Sequence, residues 1–344
     1  LLRTKRRLRR MASTGDSEEL KTLNKCDGIQ IQVENGQQQI GDDDDFQPEI
    51  VSSEWGDSEV IIVGDRKLPA LITYPDAGTN FDSCFKLFFQ FCGSNCVFKY
   101  FHFVHVNPPG QHFGASTLET TLTMESLTKH LEHILKQLKV KKFHALGCGM
   151  GSYVFLDFAS KYPDRVQTLM LISPVAEKSW YFDWIYEKCN IVANTLLKYD
   201  RWWVEQFTTR WFHRLTIREN GELLELHEKL FFRLNQANVK NIQVAFTSRK
   251  DIRDQLKSIK CQTLILVADG GLMENEALAV MAAMKENKYV TWVKVRNAGV
   301  LLTEEAPKCM LNPINLFFNS IFGTKITKEM LEFSQKMYEE GEER

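Results

Sequence analysis

No apolar run in this 344-residue chain reaches about 18 residues without interruption, so no segment reads as a membrane-spanning helix. Neither sign of charge is in excess: 43 Lys and Arg meet 44 Asp and Glu, for a net charge of −1. That balance argues against a protein coated in basic residues for nucleic acid. No secretory signal is visible. The eight cysteines are scattered, and they read as reduced thiols in a cytoplasmic protein, not as a disulfide framework. Histidine is absent after His227. The hydrophobic fraction, 44%, is ordinary and suits one large domain or two small ones.

Methionine is missing from the first ten residues, LLRTKRRLRR. On one reading this basic stretch is a targeting signal or a peripheral contact with an anionic membrane. On the other it is translated upstream sequence, with Met11 as the start. Residues 1–47 are polar and poor in large apolar side chains, the composition of a disordered lead-in. The aspartate run Asp42–Asp45 lacks the ligand spacing of a calcium loop.

A single ordered domain is expected over 48–323, followed by a charged tail at 324–344. Strands are predicted at Ser58–Val63, Ala70–Pro75 and Phe101–Gly110. A helix follows from about Leu118 to Leu138, where Leu127, Leu131, Ile134, Leu135 and Leu138 recur on one face. His130 and His133 lie on that segment beside Lys129 and Glu132, which reads as a solvated face. Next come a strand at Lys142–Leu146, a helix at Ser152–Lys161 and a strand at Gln167–Ile172. Later strands are predicted at Cys261–Gly271 and Tyr289–Val295, with helices at Asn275–Lys285 and Pro307–Phe322. Strands alternating with helices predict an α/β fold with a mostly parallel sheet. From about 174 to 250 the period turns helical and aromatic, as in a cap inserted over the sheet. Five of the seven tryptophans fall there: Trp180, Trp184, Trp202, Trp203 and Trp211. Trp202 and Trp203 are adjacent, so on a helix they point about 100° apart and cannot both seal one core contact. That makes the pair the candidate partner-binding residues.

Gly147-Cys148-Gly149-Met150-Gly151 carries the functional argument. An α/β-hydrolase holds its nucleophile in G-x-S-x-G, on a strained turn between strand and helix. The same context occurs here, but the nucleophile position is Gly149, which has no side chain to acylate. A dinucleotide-binding reading of these glycines is weak. That motif opens with the first βαβ unit, and Ile172 is followed by Ser173-Pro174 instead of an acidic residue. Aligning Ala268 with the usual glycine after the strand TLILVADGG puts Gly271 at the acid position. Asp269 lies two residues early. The histidine frame reads Gly299-Val300-Leu301-Leu302-Thr303-Glu304-Glu305-Ala306-Pro307, with Val300 where the histidine belongs. Without a base, a hydroxyl or thiol stays protonated and weakly nucleophilic. Cys148 beside the elbow reads as a buried small hydrophobe. Cys92, Cys96, His102 and His105 invite a zinc reading, but His102 and His105 point to opposite faces of a strand. No cofactor or metal site is expected.

Six collinear stretches, GDRKLPALITYPDAGTNFDSCF, HVNPPGQHFGA, LGCGMGSYVFLDFA, LISPVAEKSWYFDW, FTSRKDI and VRNAGVLLTEEAP, resemble the Ndr family (N-myc downstream-regulated proteins). The resemblance spans about residues 50–322 and is closest to plant N-myc-downregulated-like members. The connection from Gly114 to Leu118 is shorter than in animal members. The resemblance implies an α/β-hydrolase fold without hydrolase activity, acting in signalling, stress response and development. It also implies G-protein βγ as a partner and a link to auxin transport. Two function classes follow: a pseudoenzyme acting as scaffold or adaptor, with a small-ligand or lipid pocket under the cap as a variant, or a hydrolase rewired onto Cys148 or Ser152.

Overall fold

The computed structural model describes residues 47–92, 97–178 and 200–322. An eight-stranded sheet runs in the order β1-β2-β4-β3-β5-β6-β7-β8. Its strands are β1 (Gln47–Ser53), β2 (Gly56–Val63), β3 (Ala70–Tyr74), β4 (His102–Val106), β5 (Phe143–Cys148), β6 (Val166–Ile172), β7 (Gln262–Asp269) and β8 (Val290–Arg296). β1 and β2 form an antiparallel edge, and every pairing from β4 to β8 is parallel. The central strands β3 and β5 are buried along their whole length, as parallel strands covered on both faces must be. Alternate residues feed two cores. Ile72, Ile265 and Val267 pack on one side of the sheet, and Leu71, Leu264 and Leu266 on the other.

The helices are α1 (Phe81–Cys84), α2 (Lys86–Cys92), α3 (Met124–Gln137), α4 (Met150–Lys161), α5 (Asp200–Trp211), α6 (Arg214–Glu219), α7 (Gly221–Arg233), α8 (Gln236–Thr247), α9 (Glu274–Ala283), α10 (Leu302–Glu305) and α11 (Pro307–Phe322). The helices α1 and α2 lie where the sequence pattern gave no element. Asn80 starts α1 with a reciprocal capping box to Ser83. The expected helix from Leu118 begins instead at Met124, because Thr123 and Ser126 form a capping box there. His130 corrects the solvated-face reading. It sits one turn from both Leu127 and Ile134, is fully buried, and its Nε2 meets the Ser58 hydroxyl at 3.1 Å.

Helices α5 to α8 fall between β6 and β7, where the sequence placed the cap. α8 grips the long connection after β4 through one face of asparagines. Asn238 accepts from Leu118 N at 2.8 Å and donates to the carbonyls of Gly110 and Ser116. One turn on, Asn241 accepts from Leu122 N and donates to Thr120 O. These side-chain amides do for the loop what a neighbouring strand would do, pairing five of its backbone groups. The stretch FTSRKDI runs over the end of α8. Arg249 donates to Glu177 O at 2.7 Å, and Ile252 N donates to Ala176 O at 2.8 Å, tying the end of the helical region to the loop that begins it.

Candidate functional site: an elbow filled by a carboxylate

β5 delivers the chain to Gly149, and α4 starts at the next residue. Gly149 has φ 50° and ψ −108°, a backbone that residues with a Cβ adopt only under strain. Close packing is equally severe at Gly151, where a Cβ would lie 2.1 Å from Tyr74 O. The strand–turn–helix of a nucleophile elbow is therefore present.

The space above the elbow is taken by Asp76. A Cβ added at Gly149 would lie 2.2 Å from Asp76 Oδ1. That oxygen accepts the Met150 N–H at 2.7 Å. In an α/β-hydrolase this amide, the one following the nucleophile, is half of the oxyanion hole, and the loop after β3 supplies the other half. Asp76 lies on that very loop. Its carboxylate stands where the substrate's oxyanion would go, within the protein's own chain. Arg210, near the end of α5, caps the carboxylate with Nη2 at 2.6 Å from Oδ1. Asp76 is wholly buried and Arg210 nearly so. Burial pushes the Asp76 carboxyl up from its ordinary range, and Arg210 and the Met150 amide oppose that shift. The guanidinium also stacks over Phe246 at 4.4 Å, with Arg249 on the same ring at 4.6 Å.

Of the other two sequence-predicted positions, Val300 is closed and Gly271 is half-buried. Val300 is fully buried, and its carbonyl lies 3.4 Å from the Cys148 thiol. Leu301 N donates to Trp211 O at 3.0 Å, so the loop is sealed under the end of α5. Gly271 follows β7, and Asp269 at the strand's end faces Lys294 at 3.4 Å. Burial, together with the neighbouring Cys84, pushes the Cys148 thiol well up, away from thiolate. The Ser152 hydroxyl is buried against Gly147 O at 2.7 Å and Ile172 O at 3.1 Å. Among the described residues no group of three or more metal-ligating side chains forms a site. Trp211 is buried against Phe207 and Phe231. Trp180 and Trp184, and the side chains of Trp202 and Trp203, lie outside the described residues.

The family's sequence profile, described as Ndr family, matches residues 48–323. The chain belongs to the Ndr family. Among relatives, Protein NDL3 of Arabidopsis thaliana is 32% identical over 274 residues, covering 76% of this chain and 78% of that protein. The NDRG-like protein of Dictyostelium discoideum is 26% identical, covering 74% and 78%. Among solved structures, the enol-lactonase of Burkholderia xenovorans LB400 aligns with a TM-score of 0.68 at 15% identity, covering 79% of this chain and all of that one. A thermophilic esterase from Thermogutta terrifontis gives 0.66 at 19% identity, covering 80% and 99%. At that identity the likeness shows the α/β-hydrolase fold and nothing of the chemistry. No described helix of this Ndr chain is long and apolar enough to cross a membrane.

Two site residues escaped the sequence reading, Asp76 and Arg210. Asp76 was visible only as part of a turn, Asp76-Ala77-Gly78. Its signal was positional: the loop after β3 is where a hydrolase builds its second oxyanion donor. Arg210 was one arginine among the aromatics of the helical region.

Glu304 is a second buried carboxyl. Its side chain is fully enclosed, neither oxygen has a hydrogen-bond partner among the described residues, and His227 Nε2 lies 3.7 Å away. Burial raises its pKa to about 8 from an ordinary 4.5. The folded state therefore holds this proton more tightly than the unfolded chain. The stability it contributes is present below about pH 4.5 and drains away as pH rises towards 8. Glu304→Gln should match the wild type near the acid end and exceed it by about 4 kcal/mol at the basic end of that window. His227 titrates in the opposite sense, its pKa lowered by burial, and is common to both proteins. Urea denaturation across this range checks it; equal slopes with pH for the two proteins would refute it.

Proposed function

We propose that this Ndr protein is a non-catalytic adaptor in the cytoplasm, built on a hydrolase fold whose triad positions are Gly149, Gly271 and Val300. The observation that carries the reading is Asp76. A carboxylate already accepts the Met150 amide, so an ester carbonyl has neither a donor nor room, whatever nucleophile is offered. The same arrangement weighs against a hydrolase rewired onto Cys148 or Ser152. Cys148 and Ser152 are both buried, and both direct their protons at backbone carbonyls. With the pocket filled from within, function moves to the surface. The plant-type resemblance makes G-protein βγ the first partner to test. Trp202 and Trp203 are the proposed contacts.

Affinity capture of the tagged full chain from native cells, read by mass spectrometry, tests this. Recovery of a stoichiometric partner is expected, weakened by Trp202→Ala or Trp203→Ala with circular dichroism unchanged. Unchanged recovery for both variants would place the contact elsewhere. Recovery no greater than from an unrelated hydrolase-fold protein would overturn the adaptor reading.

A further inference from the structure

The near-zero net charge conceals a lysine-rich strip at one end of the parallel strands. Every loop that leads into a parallel strand emerges at the same edge of the sheet, opposite the elbow. The loop entering β5 carries Lys139, Lys141 and Lys142 and no acid. The segment entering β7 ends in Lys257, Ser258, Ile259 and Lys260, with Asp254 one turn earlier paired to Lys257 at 3.3 Å. The turn entering β8 has Lys285 and Lys288 against Glu286, and the short turn entering β6 has Arg165 beside Asp164. All these lysines are exposed. Neighbouring strands stand about 4.8 Å apart, so these four entries line up over about 15 Å. Asp164, Asp254 and Glu286 are the acids on these same segments, and the lysines outnumber them.

Helix dipoles explain only part of this. α3 and α9 end at the basic edge, which favours a cation at Lys139 and Lys285. They do not call for Lys142, Lys257 or Lys260. Lys139 is also held at φ 58°, a left-handed helix-ending position that glycine fills without strain. A cation is kept there against the backbone's preference. Between the β7 and β8 entries lies an open cleft of about 380 Å³, lined by Lys257, Lys260, Lys288 and Tyr289, with Glu286 the one acid among its lining residues. Its floor is fixed by Asn287, whose Nδ2 donates to Ile259 O and Cys261 O at 3.1 Å each. Tyr289 is 61% exposed at the rim.

We infer that this edge docks on an anionic phospholipid surface, with phosphate-bearing headgroups at the lysine-lined cleft. The composition favours a bilayer over a protein partner. Lysine is depleted in protein interfaces, where aromatic residues and arginine carry the energy. A row of mobile ammonium groups suits a diffuse negative surface, and an exposed tyrosine suits the headgroup layer. Docked this way, the molecule turns its helical insertion away from the bilayer. The inference deepens the adaptor reading by naming where the adaptor rests, and it is measured with no protein partner present.

Sedimentation of the full chain with phosphatidylcholine vesicles containing one-third phosphatidylserine tests it, at about 0.1 M salt, where charges are screened beyond about 10 Å. The wild type should bind these vesicles, ignore pure phosphatidylcholine, and release as salt rises. Lys141→Glu/Lys142→Glu/Lys260→Glu/Lys288→Glu should weaken binding at least tenfold with an unchanged melting temperature, since each near-surface cation contributes about fivefold. Lys139→Gly should melt higher yet bind about fivefold more weakly, which separates charge from folding. Equal binding by the quadruple variant and the wild type would overturn the inference. So would binding lost only when the basic residues within 3–10 are replaced, which would put the contact on the leading segment. Binding to polyglutamate but not to vesicles would give the edge to an acidic polypeptide instead. Failure of any of these leaves the filled elbow and the adaptor reading standing.

Discussion

Gly149→Ser, the substitution that would restore a nucleophile to the elbow, is expected to destabilise the protein by about 2–4 kcal/mol and to confer no ester hydrolysis. Two costs combine. The backbone at φ 50° strains any residue with a Cβ, by about 1–2 kcal/mol. The new Cβ would lie 2.2 Å from Asp76 Oδ1, and forcing extra atoms into a packed site typically costs about 1–3 kcal/mol. Asp76 cannot withdraw cheaply, because the Met150 amide and Arg210 both hold the oxygen that is in the way. A double-mutant cycle with Asp76→Gly isolates the clash. The serine should cost clearly less in the Asp76→Gly background than in the wild type. A serine variant as stable as the wild type in urea would contradict the arrangement.

Arg210→Met carries the larger expected loss, about 3–5 kcal/mol, because it strands a carboxylate in the interior with only neutral donors such as the Met150 amide. The ion pair itself need not be a net stabiliser; the cost arises from removing one partner alone. Arg210→Met combined with Asp76→Asn should therefore recover much of the loss, since the isosteric amide carries no charge to strand. Urea denaturation of the four proteins gives the coupling. A loss under about 1 kcal/mol for Arg210→Met would show that Asp76 finds its compensation elsewhere. Because Arg210 sits on α5 and Asp76 on the loop after β3, this pair also fixes the helical insertion to the sheet.

The fold was legible because its signals are local and repeated. Buried parallel strands such as ALITY and TLILVAD are continuous apolar runs, and α11 spans Pro307–Phe322 as its pattern predicts. What escaped depended on distant partners. α1 and α2 hold few residues each, and their cap at Asn80 is anchored by Asn107, which accepts from Phe81 N at 2.7 Å. His130 looked solvated between charged neighbours, yet Ser58, far away in the sequence, gives its ring a buried partner. The site divides the same way. Empty positions are readable one at a time, as Gly149 and Val300 are. The group that fills the vacancy is not, because Asp76 reaches Gly149 across 73 residues of chain and meets Arg210 only when the helical region folds back over the sheet.

Reaction of the purified full chain with a fluorophosphonate at neutral pH, read by intact mass, tests most directly whether the elbow has lost its chemistry. No added mass is expected, even after long exposure. One equivalent of adduct mapping to Ser152 or to any other residue around Gly149, with ester turnover abolished by its substitution, would contradict the account.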